Sequence, residues 1–358
     1  MAADAPILVT GGAGFIGSNI ADRLAGQGHD VLIYDALTRP GVERNLQWLK
    51  DRHGARITAI KADIRQNDEL ARAVGEARAV FHMAAQVAVT TSMDNPRDDF
   101  EINILGTFNL LEALRKKRDT PLVFASTNKV YGDLADLDFA RDGDTYVPVD
   151  PEIRAHGIGE ARPLDFHTPY GVSKGAADQY VLDYARSFGV PAAVLRMSCI
   201  YGQRQMGTED QGWVAHFLIR ALEGKPITLY GDGYQVRDIL DVSDAVDAYL
   251  GAWQRIDTAK GRAFNLGGGA SNAVSLRVLL GHIGQLIGRD VDVSFSDWRA
   301  GDQRYFVADT RLAEAELGLG SKVPWREGVA NLARWLAAER GFNHPIGAAV
   351  AELSDAAG

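Results

Sequence analysis

The stretch PILVTGGAGFIGSNI, residues 6–20, decides the fold. A short apolar run, Ile7 to Val9, stops at a glycine cluster, and apolar residues then recur at helical spacing. Gly11, Gly14 and Gly17 stand three apart. Glycine at such places allows a tight turn, lets backbone N–H groups approach a pyrophosphate and brings helix against strand. The start of the helix adds partial positive charge for phosphate oxygens. Glycines alone also mark ordinary turns, so the reading rests on position. A strand precedes them, a helix follows, and Asp35 ends the next apolar run eighteen residues beyond Gly17. A carboxylate there takes ribose hydroxyls and repels a 2′-phosphate, which favours NAD over NADP; Arg39 pulls the other way.

Working outward, DVLIYD (30–35), RITAIKAD (56–63), AVFHMAA (79–85), PLVFAST (121–127) and AAVLRMSCIY (192–201) are further continuous apolar runs. Such runs suit a parallel sheet covered on both faces. Helical segments lie between them, including DDFEINILGTFNLLEALRKK, with Phe100, Ile104, Phe108, Leu111 and Leu114 expected on one face. The alternation predicts an α/β fold, a Rossmann-like doubly wound parallel sheet. After about residue 197 the regularity weakens, and the expectation is a smaller, discontinuous α/β substrate domain. The expected division is 1–196 plus 234–259 for the NAD-binding part and 197–233 plus 260–342 for the substrate part, with 343–358 a loosely tethered tail.

The 358 residues carry a net charge of −9, which argues against nucleic acid as a partner. Cys199 is the only cysteine, so no internal disulfide and no thiolate metal cluster is expected; no metal site is predicted at all. The N-terminus MAADAPILVT lacks a basic region, and no apolar run approaches the ~20 residues that span a bilayer. The expectation is a cytoplasmic protein without membrane contact.

HTPYGVSKGAADQYV, residues 167–181, sets Tyr170 and Lys174 four apart at the start of a helix, on one face. Free tyrosine and lysine titrate near ~10 and ~10.4, so alone both are protonated and idle at neutral pH. A dinucleotide site changes that reading. Ligands of open α/β sheets bind beyond the carboxyl ends of the strands, and Thr127 ends the fifth run. Moving a hydride from a carbinol carbon to NAD⁺ requires the hydroxyl proton to leave. A tyrosine takes it once its pKa falls by about three units, about 4 kcal/mol of differential stabilisation. The Lys174 ammonium is expected to contribute to that fall, and the Thr127 hydroxyl to orient the reacting oxygen.

TGGAGFIG, FHMAA, STNKVYG, YGVSK and GDGYQVRDILDV together resemble the extended short-chain dehydrogenase/reductase family, in its NAD-dependent sugar epimerase/dehydratase group. STNKVYGDL, YGVSKGAADQYVLDYAR, SCIYGQRQMGTEDQGWVAHF and YGDGYQVRDIL resemble its CDP-paratose 2-epimerase (CDP-tyvelose 2-epimerase) branch. The resemblance implies Thr127, Tyr170 and Lys174 as catalytic positions. It implies Gly11, Gly14, Phe15, Ile16, Gly17, Asp35, Arg39, Asp63, Ile64 and Ala84, with Tyr170 and Lys174, as NAD contacts. Asn128, Arg204, Arg237 and Arg304 are the expected substrate contacts, the arginines suiting a nucleotide diphosphate. Met197, where a polar residue is expected, and the segment 134–163 depart from the pattern.

The resemblance also bears on the reaction. Family dehydratases carry Asp-Glu after the threonine, and here Asn128 and Lys129 follow. An amide is no acid, so elimination is disfavoured. The expected activity is nucleotide-sugar epimerisation by transient oxidation with tightly held NAD, at C2 of a CDP-hexose. A nucleotide-sugar 4-epimerase uses the same trio and is the alternative, ahead of a 4,6-dehydratase or a non-catalytic NAD-binding scaffold. Lys129 and Cys199 leave a proton-abstraction route open. The aromatic residues Phe100, Phe108, Tyr180 and Tyr184 predict pairing of chains, as a homodimer or higher homo-oligomer.

Overall fold

The continuous apolar runs become parallel strands: β1 (Ile7–Thr10), β2 (Val31–Asp35), β3 (Ile57–Lys61), β4 (Ala79–His82) and β5 (Leu122–Thr127). The structure, a computed structural model, describes residues 5–299 and 301–342; the expected tail at 343–358 lies outside these. An antiparallel hairpin of β6 (Phe139–Asp142) and β7 (Thr145–Pro148) occupies the departing segment, followed by β8 (Ala192–Met197) and β9 (Cys199–Tyr201). The later strands are β10 (Ile227–Tyr230), β11 (Val236–Asp241), β12 (Ala263–Leu266), β13 (Ala273–Ser275), β14 (Val293–Ser296) and β15 (Tyr305–Phe306).

Seven strands form the central parallel sheet, in the order β12-β8-β5-β4-β1-β2-β3. Strand order reverses between β1 and β4, so a crevice opens beyond the carboxyl ends of those two strands. Ile7, Val9, Ile33 and Phe81 are fully buried on one face, with Leu8, Val80, Leu122 and Phe124 on the other. Emptying one such aliphatic site to alanine typically costs about 2–5 kcal/mol. A second sheet joins β13, β11 and β15, with β9 pairing the far half of β11. The helices Trp213–Glu223, Leu276–Ile287 and Trp325–Arg340 bury their apolar stripes in a core of their own beside it. Among the described residues no helix is long and apolar enough to cross a membrane.

Two placements differ from the sequence reading. The strand at 236–241, inside the expected NAD-binding part, joins the second sheet, and the seventh central strand, 263–266, comes from the expected substrate part. Both are short buried runs, and periodicity does not say which sheet such a run joins. The helix after α1 (Phe15–Gly26), α2 (Val42–His53), α3 (Asn67–Glu76) and α4 (Val89–Asp94) is also broken. It runs as α5 (Pro96–Phe100), a π-helical turn at Glu101–Leu105, and α6 (Gly106–Lys116). The wider turn rotates the faces apart. Leu111 and Leu114 are buried, whereas Phe100 and Phe108 stay 52% and 37% exposed, and the polar Asp99 and Asn103 turn inward instead.

Candidate functional site

The turn after β1 leaves no room for side chains. Gly11 has φ +64°, and a Cβ there would stand 2.7 Å from the Ala84 backbone nitrogen. A Cβ on Gly17 would overlap the Gly11 carbonyl oxygen. Gly14 caps α1 without any side-chain bond, and no acidic residue lies in the first turn around Phe15 and Ile16. Those N–H groups and the helix dipole therefore face the crevice uncompensated, an arrangement that fits an anion such as a pyrophosphate. Asp35 sits at the rim, where its carboxylate accepts from the Ala13 and Leu37 amides at 3.0 and 2.8 Å. Burial raises its pKa, against those two bonds and the charge of Arg39. These residues fit a dinucleotide with free ribose hydroxyls.

Asp63 behaves differently. Arg65 holds its carboxylate by a backbone bond at 2.9 Å and by two guanidinium bonds at 3.0 and 2.6 Å, and this pairing lowers its pKa. Its neighbour Ile64 is buried against Gly106, where a Cβ would come within 2.5 Å of the Ile64 side chain.

Thr127 ends β5, where its Oγ1 accepts from the Lys129 amide at 3.2 Å and donates to Asn128 Oδ1 at 3.3 Å. After the short helix α7 (Pro151–His156), α8 (Thr168–Phe188) carries Tyr170 and Lys174 in its first turns. The Tyr170 amide donates to Ser92 Oγ at 3.2 Å, which fixes the start of the helix on α4. Burial pushes the Tyr170 phenol up to about 12; the nearby Thr127 hydroxyl opposes the rise and Asp99 adds to it. Burial also brings Lys174 down to about 8 against the charges of Asp178 and Asp99. Its Nζ donates to the Ala125 carbonyl at 2.7 Å and lies 4.4 Å from the centre of the Phe124 ring. The structure brings the trio to one corner, where the end of β5 meets the start of α8. The ammonium is spent on a carbonyl and a ring face, and burial dominates both residues.

A buried network braces this corner. Asp178, one helical turn past Lys174, accepts both arms of Arg196 at 3.0 Å and the Ser126 hydroxyl at 2.7 Å. Arg196 also donates to the Tyr131 hydroxyl, which donates to Asn265 on β12 at 2.7 Å. Asp99 accepts from Asn103 at 3.1 Å, while its second oxygen is buried without a partner. Sequence reasoning missed Asp178, Arg196 and Asp99. The i, i+4 spacing from Lys174 was a signal for Asp178; the inward turn of Asp99 had none.

The expected substrate residues separate. Asn128 donates to Gln303 Oε1 at 3.1 Å, and Lys129 to the Gly301 carbonyl at 3.0 Å. Arg237, buried on β11, pairs with Asp302 at 2.6 Å. Arg304 is exposed, and its charge reaches Tyr146 of the hairpin. Arg204 is not brought to the others. At φ +70° it lies over the Trp48 ring at 4.0 Å and near Trp335 at 5.5 Å, because a half-buried guanidinium between two indoles gains cation–π contact. Cys199 is half-buried, accepts from the Trp213 indole at 3.3 Å, and is raised in pKa by burial against Arg237.

Residues 7–267 match the NAD dependent epimerase/dehydratase family. The chain is 41% identical over 337 residues to CDP-paratose 2-epimerase of Salmonella typhi, covering 92% of this chain and 98% of that one. The structure of UDP-glucose 4-epimerase from Thermotoga maritima with UDP-glucose superposes with TM-score 0.80 at 30% identity, over 94% and 99% of the two chains. That of Thermus thermophilus UDP-glucose 4-epimerase with NAD gives 0.77 at 31%, over 92% and 98%.

Proposed function

The chain belongs to the NAD dependent epimerase/dehydratase family, and on that premise we propose that it inverts one secondary-alcohol carbon of a nucleotide-diphosphate sugar, C2 of a CDP-hexose, by removing a hydride and returning it to the opposite face. NAD is the cofactor and supplies the acceptor and later the donor of that hydride. The glycine turn with Phe15 and Ile16 holds the pyrophosphate, and Asp35 with Arg39 the adenosine ribose. Asp63, Ile64 and Ala84 line the remaining crevice. In this reading the seven-stranded sheet serves NAD and the second sheet with its helices serves the nucleotide sugar.

One observation carries the proposal: Thr127, Tyr170 and Lys174 are all buried where the carboxyl end of β5 meets the start of α8. Thr127 orients the sugar hydroxyl and Tyr170 takes its proton. Bringing a phenol from about 12 to neutrality means about 7 kcal/mol of preferential stabilisation of the phenolate. The Lys174 ammonium, with its pKa at about 8 still mostly charged at neutral pH, is the nearby cation for that task. Asn128 is an amide and cannot protonate a leaving hydroxyl, so elimination has no acid there.

The test is isotopic. Substrate deuterated at C2 should give the C2 epimer with deuterium retained, and reaction in heavy water should add none at carbon. Retention with inversion at C4 transfers the proposal to 4-epimerisation, the reading favoured by the likeness to the Thermotoga maritima enzyme. Solvent deuterium at the inverted carbon refutes hydride transfer.

The proposal includes a homodimer. Phe100, Phe108 and Tyr180 leave 52%, 37% and 43% of their surface exposed on neighbouring helices, and Phe108 meets Tyr180 edge-on at 5.8 Å. A contiguous aromatic face of this kind suits a two-fold interface. A monomeric mass by light scattering at micromolar concentration removes this part.

A further inference from the structure

Beyond β9 the chain runs onto the glycine turn as residues 202–205, and two asparagines tie it there. Asn19 Nδ2, on α1, donates to the Phe15 carbonyl at 2.9 Å and to the Gln203 carbonyl at 3.1 Å. Asn45 Nδ2, on α2, donates to the Ala13 carbonyl at 3.1 Å and to the Arg204 carbonyl at 3.2 Å. Each side-chain amide thus spends one hydrogen on the turn and the other on the passing segment. Asn45 is 1% exposed, so its bonds are shielded from water. A trans peptide points its C=O and N–H opposite ways, so holding the Phe15 carbonyl keeps the Ile16 N–H facing the crevice.

Arg204 holds the segment down. Its backbone, at φ +70°, has a conformation that an arginine keeps only where the surroundings impose it. Its guanidinium lies 4.0 Å from the centre of the Trp48 ring and 5.5 Å from that of Trp335. Its Nε is buried without a hydrogen-bond partner among the described residues, so the indole faces are what steady the cation. Trp48 stands one turn past Asn45 on α2, whereas Trp335 belongs to the helix Trp325–Arg340 and packs on the second core. The clamp therefore joins the cofactor side of the molecule to the other side.

We propose that Arg204 is a positioning residue for cofactor retention: clamped between Trp48 and Trp335, it holds residues 202–205 as a strap on Asn19 and Asn45, and the strap keeps the pyrophosphate turn closed on NAD. The inference rests on NAD as the cofactor and on no choice of sugar. A reaction that returns its hydride needs the cofactor kept in place between its two halves, and a strap outside the reacting centre supplies that without touching the chemistry. An arginine that merely braced the fold would lower the melting temperature and leave NAD release unchanged.

The test mixes NAD-loaded protein with excess radiolabelled NAD and follows exchange by rapid filtration, so no turnover is involved. Arg204→Gln is expected to exchange about tenfold faster than the unmodified chain, equivalent to about 1.4 kcal/mol, the scale of a partly desolvated cation–π contact. Arg204→Lys keeps a cation between the indoles and should recover part of the difference. Trp335→Leu removes the longer contact and should speed exchange about threefold. Both substitutions act through one clamp, so adding Trp335→Leu to Arg204→Gln should change the rate by no more than about twofold. Exchange by Arg204→Gln within twofold of the unmodified chain overturns the inference, as do fully multiplying effects in the double variant. So does an unmodified chain that retains no NAD. Should Arg204→Gln not fold, Trp335→Leu decides alone, and an unchanged exchange rate there overturns the inference.

Discussion

Replacing Lys174 by methionine separates what the lysine does for the reaction from what it costs the fold. The ammonium is 4% exposed, and burial brings its pKa from 10.5 to about 8 in the folded chain. That difference of about 2.5 units corresponds to about 3.4 kcal/mol. The sign follows from proton counting. Between pH 8 and 10.5 the unfolded chain keeps the proton that the folded chain has lost, so stability rises with pH across this window. Below pH 8 both states carry the proton and the full penalty of burying the charge is present. Lys174→Met has no such group, so its stability relative to the unmodified chain should fall by about 2.5 kcal/mol between pH 7 and pH 10. The loss of the bond to the Ala125 carbonyl shifts both ends of that comparison equally and drops out. Urea unfolding of both proteins, stripped of nucleotide, at the two pH values measures the double difference. A double difference near zero would show that Lys174 titrates as an ordinary exposed lysine, and the argument from burial would fail.

Tyr170→Phe should retain NAD and nucleotide-sugar binding yet lose turnover by about 10²–10⁴, the usual weight of a positioned acid–base; near-normal kcat assigns the proton to another group. Gly11→Ala places a methyl 2.7 Å from the Ala84 nitrogen at a backbone angle of +64°, so bound NAD, measured in the supernatant of denatured protein, should be lost or greatly reduced. Arg196→Met leaves Asp178 buried and unpaired, and should destabilise by about 3–5 kcal/mol, seen as a lower melting temperature.

The legible parts of the chain are those where one local rule governs. Gly11 needs its φ of +64° and its closeness to Ala84 whatever the rest does, and β1, β2, β4 and β5 are continuous apolar runs because both sheet faces are covered, whereas the edge strand β3, expected buried, exposes Thr58, Ala59 and Lys61. Thr127 and Tyr170 could be brought together on paper, since strand end and helix start are fixed by the topology. The exchange of 236–241 for 263–266 at the sheet edge was not legible. Each is a short buried strand, and the choice is made by partners such as Asn265, which ties β12 to Tyr131. The surroundings of Arg204 were not legible for a similar reason. An arginine in a loop looks like an anion ligand until Trp48 and Trp335 are seen on either side of it.

The electrostatics of the trio show why chemistry is harder to read than position. Tyrosine and lysine four residues apart suggest mutual tuning, yet burial moves them in opposite directions, the phenol to about 12 and the ammonium to about 8. In each case it is burial that makes the charged state expensive. A buried Asp99 then acts on both, raising the tyrosine further and holding the lysine in its charged form. Its negative charge thus opposes the phenolate directly while preserving the cation that favours it. The balance between the two effects is set by where α5 places Asp99, and no residue pattern announces that placement. A substitution that moved Asp99 would leave Thr127, Tyr170 and Lys174 in the sequence and change the proton affinities of the tyrosine and the lysine. The catalytic motif is therefore only as good as the helix packed behind it.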